Sequence, residues 1–316
     1  MSLASSKNLN NNIGDFLNIE RKDELLIFEI SNQEAGKTIR EFLDSYALAK
    51  KKVHELYMRK KLLVNGVAQN STYILKERDK FAIPVFEPEA IDFIPEKIKF
   101  DIIYEDDHLL IINKPAGIQV HPDQKKGTGT LVNGVAYYFQ QQGLSHRVRY
   151  IHRLDIGTSG VMIFAKHYLA HSLLDRQLAN KEIKRWYLAL VSGVVKNSKG
   201  KIEAPIGKDR HHSSRRRVAK NGDYALTYYQ VKKQFSNYAL VELRLQTGRT
   251  HQIRVHMTYL GHPLLGDTLY GTKPNVQGLK RQALHSSKIE FIHPMTKEFL
   301  AFEIPFPWDL KKYIKN

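Results

Sequence analysis

The chain has 316 residues, a prior of about two domains, and carries 49 Lys and Arg against 32 Asp and Glu, a net charge of +17. So basic a balance calls for an anionic partner, nucleic acid or a membrane surface, while the absence of cysteine excludes disulfides, thiolate zinc sites and cysteine nucleophiles. The longest apolar runs, such as Leu109–Ile112, fall far short of the roughly 18 residues of a spanning helix.

The polar start Met1–Asn12 has no apolar core, so it does not read as a secretory signal, and a reducing, cytoplasmic location is expected. Residues 1–24 read as a flexible tail. Leu25–Ile30 is β-like, and Thr38-Ile39-Arg40-Glu41 is a capping box that opens a helix. A second helix is expected near Val53–Met58, from Val53, Leu56 and Tyr57 at i, i+3, i+4. Leu62–Val64 followed by Asn65-Gly66 is a hairpin signal, and Phe81–Phe86 is a strand interrupted by Pro84. Residues 25–87 thus form a small α+β domain, and 88–98, with Pro88 and Pro95, a linker.

From 99 to 316 the strand candidates are Leu109–Asn113, Val161–Ala165, Tyr187–Val191, Tyr224–Val231, Ala239–Leu245 and Ile289–Ile292. The helix candidates are Leu131–Gln142, Tyr168–Asn180 and His251–Leu260. Runs of strands with few helices between them predict an α+β domain on a mixed, largely antiparallel sheet with flanking helices. No apolar stripe or heptad is left unassigned, so a monomer is expected.

The positive charge is concentrated. Residues 50–61 hold Lys50, Lys51, Lys52, Arg59, Lys60 and Lys61 against Glu55, a local +5. Residues 199–220 hold eight basic residues, Arg215, Arg216 and Arg217 among them, against Glu203 and Asp209, a local +6. Two such windows favour a polyanionic backbone over an ordinary solvated face, and the second reads as a mobile basic loop that orders on phosphates.

Gly36-Lys37-Thr38 resembles the end of a P-loop, but the position five residues before Gly36 is Ser31 where the motif needs glycine. His251 and His256 are five apart, whereas a helical metal pair needs four and an adjacent Glu. No nucleotide cofactor and no metal are therefore expected.

Two segments carry chemistry. In Ile151-His152-Arg153-Leu154-Asp155-Ile156-Gly157-Thr158-Ser159-Gly160, Asp155 lies in a turn-forming stretch before a strand, which can project one carboxylate from a rigid edge, with the Arg153 guanidinium nearby. In Thr247-Gly248-Arg249-Thr250-His251-Gln252-Ile253-Arg254-Val255-His256-Met257, Thr250 is an N-cap candidate and Ile253, Met257 and Leu260 a buried stripe. Arg254 is one step, about 100°, from Ile253, so it can sit at the core's edge, where it needs a carboxylate. An ordinary surface pair and a structural ion pair account equally well for these residues taken locally.

Taken together, these segments resemble the signature motifs of the RluA/RluD-type RNA pseudouridine synthases. Glu105–Gly117 with His121-Pro122, Lys184-Arg185-Trp186-Tyr187 and Gly261–Asp267 resemble the family's other motifs, so the likeness spans about 100–305. Residues 25–87 resemble the ribosomal-protein-S-four type of RNA-binding domain through Phe42-Leu43-Asp44, Lys50–Lys61 and Leu63–Gly66, although Lys60-Lys61-Leu62 stands where a glycine is usual.

The resemblance implies an isomerase that breaks the N-glycosidic bond of a uridine, turns the base and rejoins it through carbon, with no cofactor. It implies Asp155 as the essential nucleophile or base and Arg254 as its partner. Tyr187 would stack on the uracil or move the C5 proton. Arg153 would fill the space of the flipped base, and His152, Arg249 and the two basic windows would contact RNA. Structured RNA is the expected partner, large-subunit 23S rRNA before tRNA. A binding protein without catalysis, or a glycosidase or nuclease, are the competing readings. The first has no use for Asp155, Tyr187 and Arg254 together, and the second lacks a second carboxylate motif.

Overall fold

A computed structural model describes residues 18–124, 127–271 and 278–314. The chain divides into two compact units, Met1–Glu87 and Pro88–Asn316.

The first unit runs β1 (Ile19–Lys22), β2 (Leu25–Glu29), α1 (Ile39–Ser45), α2 (Lys50–Met58), β3 (Leu63–Val64), β4 (Val67–Ala68) and β5 (Lys80–Pro84). Its sheet has the order β1-β2-β5-β3-β4. The Thr38 hydroxyl accepts from the Glu41 backbone N–H, and the Glu41 carboxylate accepts from that of Thr38, so α1 opens on the capping box. Asn65 and Gly66 both take positive φ, 52° and 83°, the twist that a two-residue hairpin requires. Phe28, Phe42, Tyr46 and Phe81 meet mostly edge to face at the centre. The expected tail needs correction, because Ile19–Lys22 is a strand paired antiparallel with β2. Ile-Glu-Arg-Lys shows no apolar alternation, so backbone pairing across the turn at Asp23, φ 53°, makes this strand. Residues 1–17 of that tail lie outside the described residues.

The second unit contains β6 (Asp101–Glu105), β7 (Leu109–Lys114), α3 (Leu131–Gln141), β8 (Arg149–Tyr150), β9 (Ser159–Ala165), α4 (Tyr168–Ala179), β10 (Lys184–Ser192), β11 (Lys199–Glu203), β12 (Ile206–Lys208), β13 (Arg216–Val218), β14 (Leu226–Gln234), β15 (Tyr238–Leu245), α5 (Gln252–Tyr259), β16 (Leu284–Ile292), β17 (Phe299–Glu303) and α6 (Trp308–Lys311). The main sheet has the order β11-β14-β15-β10-β16-β9-β7-β6, with β17 on β16 and β8 on β9. Among the described residues its pairs are antiparallel except β16 with β9, so the sheet is mixed and largely antiparallel. One face, with Ile112, Met162, Ala189, Val241 and Leu243, packs with α3 and α5 into the largest core. Leu109, Ile111, Val161 and Ile163 point to the other face and meet α4. The alternation within β7 and β9 thus fills both sides of the sheet.

Two further expectations change. The segment 88–98 has no regular structure, but it is a strap fastened to its own unit and not a free linker. Glu89 pairs with Arg149 at 2.5 Å, Asp92 with Arg147 at 3.3 Å, and the Ile94 carbonyl accepts from Asn133 at 2.9 Å. Its acids answer bases from 147–149, a match that distance along the chain conceals. The window 199–220 is not one loop, since β11, β12 and β13 take up half of it. Ile202, Ala204, Ile206 and Val218 recur among the charges and turn inward, and β11 adds to the sheet edge at β14.

Candidate active site

Asp155 sits in the loop between β8 and β9, at the floor of an open cleft also lined by Arg153, Tyr187, His251 and Arg254. The loop is held by its carbonyls. Lys114, fully buried at the end of β7, donates Nζ to the carbonyls of Pro115 (2.9 Å), Ile156 (3.3 Å) and Thr158 (3.0 Å). Gly117 N–H also donates to Ile156 O at 2.8 Å, and Arg281 Nη1 to Gly157 O at 2.9 Å. Arg281 is itself fixed by Asp309 at 2.7 and 3.1 Å. The three peptide carbonyls after Asp155 are therefore all bound. Burial pulls the Lys114 ammonium down to about 7, against the pull of the Asp155 carboxylate.

The loop ends where β9 meets β16 in parallel, Ser286 opposite Gly160. Gly160 has φ +126°, and a Cβ there would lie 2.2 Å from the Ser286 carbonyl oxygen. The small residue after the Asp155 turn is thus set by the central strand pairing.

Arg254 comes from α5 and is buried. Its Nη1 donates to Asp155 Oδ2 at 3.1 Å, while Nε and Nη2 donate to Asp267 Oδ2 and Oδ1 at 2.7 and 2.9 Å. Asp267 Oδ1 also accepts from the N–H groups of Leu269 and Tyr270, both at 3.1 Å. Burial works against the Arg254 charge, but Asp267 and then Asp155 hold it above its ordinary value. The guanidinium carbon lies 4.9 Å from the centre of the Tyr270 ring.

The entry to α5 differs from expectation. The N-cap is His251 in the left-handed region, φ 59°, and not Thr250. The reason is Gln252, whose Oε1 accepts from Thr247 Oγ1 and Arg249 N–H and whose Nε2 donates to Leu226 O and Thr227 Oγ1. This side chain ties the turn to β14. Of the expected stripe, Ile253 and Met257 are buried, but Leu260 is 37% exposed. The turn leaves His251 Nε2 4.0 Å from Asp155 Oδ2, with Nδ1 2.8 Å from the Tyr270 hydroxyl.

Tyr187 is buried on β10, and burial raises its phenol while Arg185 lowers it. Arg153 is exposed on the cleft rim, its Nη1 3.0 Å from His121 Nε2, and His121 stacks on Tyr150 with the planes 8° apart. Arg249 is exposed and donates Nε to Tyr224 O at 3.0 Å. His152 lines the cleft but is buried, and burial followed by the nearby Arg185 charge pushes its imidazole down to about 3. It is neutral at pH 7 and offers no charge to a phosphate.

The basic windows are not uniform. Lys50 and Lys51 are exposed on α2, and Lys60 is exposed beyond its end. Lys52 pairs with Glu55 at 2.7 Å, and Arg59 and Lys61 both reach Glu87 at 2.8 Å. In the second unit Arg215 lies 5.5 Å from the centre of the Tyr270 ring that Arg254 also faces. Arg216 N–H donates to the Tyr270 hydroxyl at 2.8 Å, and Arg217 is exposed on β13. Tyr270 therefore joins the basic hairpin to the Asp155–Arg254 pair.

Sequence reasoning did not single out Lys114, Asp267 or Tyr270 as site residues. Lys114 carried a signal, a charge ending an apolar run that is too long for an edge. Asp267 and Tyr270 lie 13 and 16 positions beyond Arg254, with no period to link them.

The RNA pseudouridylate synthase family model matches residues 108–259, and that of the RluD ribosomal pseudouridine synthase N-terminal domain matches 26–81. The uncharacterized RNA pseudouridine synthase YhcT of Bacillus subtilis is 45% identical over 290 residues, 91% of this chain and 95% of that protein. The ribosomal large subunit pseudouridine synthase D of Neisseria meningitidis serogroup B is 41% identical over 70% of this chain and 62% of its own length. The structure of human RNA pseudouridylate synthase domain containing 1 superposes with a TM-score of 0.55 at 27% identity, over 70% of this chain and 87% of that one.

Proposed function

The chain belongs to the RNA pseudouridine synthase family, a family of isomerases, and from that premise we propose that it converts specific uridines of large-subunit 23S rRNA to pseudouridine, with Asp155 as the acting carboxylate. The ion pair of Asp155 and Arg254 at 3.1 Å in an open cleft carries this reading. Arg254 holds Asp155 Oδ2 and so fixes which oxygen is left facing the cleft for nucleophilic attack or proton removal. The nucleotide leaves its stack to reach Asp155, at a cost of a few kcal/mol. Arg153 on the rim fills the vacated space, its planar guanidinium able to stack and to hydrogen-bond. The N-glycosidic bond breaks, the base turns, and C5 bonds to the sugar while its proton leaves and N1 takes one up. Tyr187 stacks on the base or takes part in that proton transfer.

The choice of rRNA is supported by relatives described as acting on the large ribosomal subunit, and by an N-terminal unit matching that of a ribosomal synthase. We read that unit as an S-four-like RNA-binding domain that adds grip through Lys50, Lys51 and Lys60. Arg249, Arg215, Arg216 and Arg217 extend the grip beside the cleft.

Pseudouridine mapping of total RNA from cells with and without the gene tests the substrate. Missing 23S rRNA sites are expected, and missing tRNA sites alone would overturn the choice of RNA. Asp155→Asn is expected to abolish isomerisation while binding RNA nearly as tightly as the wild type. An active Asp155→Asn enzyme would overturn the role of Asp155.

A further inference from the structure

Four cations are buried among the described residues: Lys114, Lys166, Arg185 and Arg254. Three are satisfied. Lys114 has three carbonyls, Lys166 has Glu105 at 3.0 Å and the Asp106 carbonyl at 2.6 Å, and Arg254 has two carboxylates. Arg185 is 7% exposed, its Nε is sealed from solvent without a partner, and no described acidic group pairs with it. A buried charge left uncompensated costs several kcal/mol, so a folded chain keeps one only where something else supplies the counter-charge.

The location narrows what that is. Residues 185, 187 and 189 of β10 are buried in alternation, so Arg185 projects on the same side as Tyr187. Both line the cleft that holds Asp155. The turn before α5 makes room for the guanidinium, since a Cβ on Gly248 would lie 3.0 Å from Arg185 Nη1. Gly248 does not take the left-handed backbone, so the space it leaves is the feature that matters. The nearby imidazole of His152 has both ring nitrogens unpartnered and stays neutral, so it adds no charge beside Arg185.

We infer that Arg185 is a substrate-binding residue that takes the non-bridging oxygens of the phosphodiester adjoining the uridine in the cleft. A guanidinium presents two parallel N–H donors to two such oxygens, and a phosphate brings the full negative charge that a uracil carbonyl lacks. The inference rests on the reading that the reacting uridine lies at Asp155. It adds a point that fixes the backbone while the base turns.

The test is a titration that needs no turnover. The Arg185 Nε–H resonance of the intact protein is followed while uridine 5′-monophosphate, inorganic phosphate or uridine is added. The nucleotide and phosphate are expected to shift it, and uridine is not. Arg185→Gln should weaken nucleotide binding about tenfold or more, and Arg185→Lys should recover part of it through charge without the fork. On RNA, Arg185→Gln should raise KM more than it lowers kcat. Equal shifts from uridine and the nucleotide would move the contact to base or ribose and overturn the assignment. So would silence towards both phosphate-bearing probes, or phosphate binding unchanged in Arg185→Gln. Should Arg185→Gln fail to fold, the wild-type titration alone decides. Failure of the underlying reading would appear separately, as activity in Asp155→Asn.

Discussion

Arg254 reaches Asp155 with a single nitrogen, at 3.1 Å, while its other two nitrogens are clamped by Asp267. The buried carboxylate is thus the anchor, and the partly exposed one is the working end. Arg254 aims Asp155 only because Asp267, tied to two backbone N–H groups, aims Arg254.

Removing the anchor should cost more than a surface ion pair. Asp267→Ala leaves a buried guanidinium with one partner, and a loss of about 3–5 kcal/mol is expected from urea unfolding. Asp267→Asn keeps the shape and loses the charge. It should fold, with turnover reduced about tenfold or more because Asp155 is no longer held in one orientation. Tritium release from RNA labelled at uridine C5 reads this out. Wild-type turnover in Asp267→Asn would show that the clamp is only structural.

Glycines of positive φ should separate by their surroundings. Gly160→Ala sets a Cβ 2.2 Å from the Ser286 carbonyl, where neither central strand can give way. Gly143 has φ +70° and open space around it. Thermal unfolding should show Gly143→Ala destabilised by about 1 kcal/mol, from backbone strain alone. Gly160→Ala should lose several times that or fail to fold. Equal effects would mean that the β9–β16 junction is not the constraint.

Acid should unfold the protein early. Burial comes first among the causes that push His152 to about 3, and His108 and His285 to about 4. Each folded value lies below the ordinary 6.5, so the unfolded chain binds more protons between the two. The stability these residues confer is complete above pH 6.5 and lost as pH falls towards 4, at about 1.4 kcal/mol per unit for each. Burial also lowers His167, so urea unfolding at intervals across that window should give a slope of more than three protons, and His285→Gln should lower it by about one. A flat profile would refute the neutral, buried state.

The lysines of α2 should differ among themselves. Lys50 and Lys51 are exposed, whereas Lys52 is engaged by Glu55 at 2.7 Å. Neutralising Lys50 and Lys51 should weaken RNA binding. It should also reduce the slope of log affinity against log salt by about 0.7–0.9 for each phosphate that the protein no longer neutralises. Neutralising Lys52 alone should change the slope less. An unchanged slope in the double variant would remove α2 from the RNA grip.

Much of the fold is local in origin and legible in the chain. The capping box at Thr38, the Asn65-Gly66 turn and the apolar strand runs 109–113 and 187–191 each follow from neighbours within a few residues. The elements that escape such reading are those without apolar rhythm, such as β1 and the hairpin of β12 and β13, where backbone pairing decides. The strap 88–98 reads as a linker because its partners lie more than 30 residues away.

That Arg254 meets a carboxylate is also foreseeable as chemistry, since an arginine at a core edge needs one, whereas Asp155 as that partner follows only from the family resemblance. Which carboxylate is not foreseeable. Arg254 has two, and the nearer in sequence serves as the anchor while the one 99 positions away faces the cleft. Likewise +17 announces a polyanion, but not that Arg59, Lys52 and Lys61 are spent on acids or that Arg185 has none among the described residues. Residue type and spacing determine which groups can act. Which of them are left unsatisfied depends on distances between strands far apart in the chain, and these only the folded sheet sets.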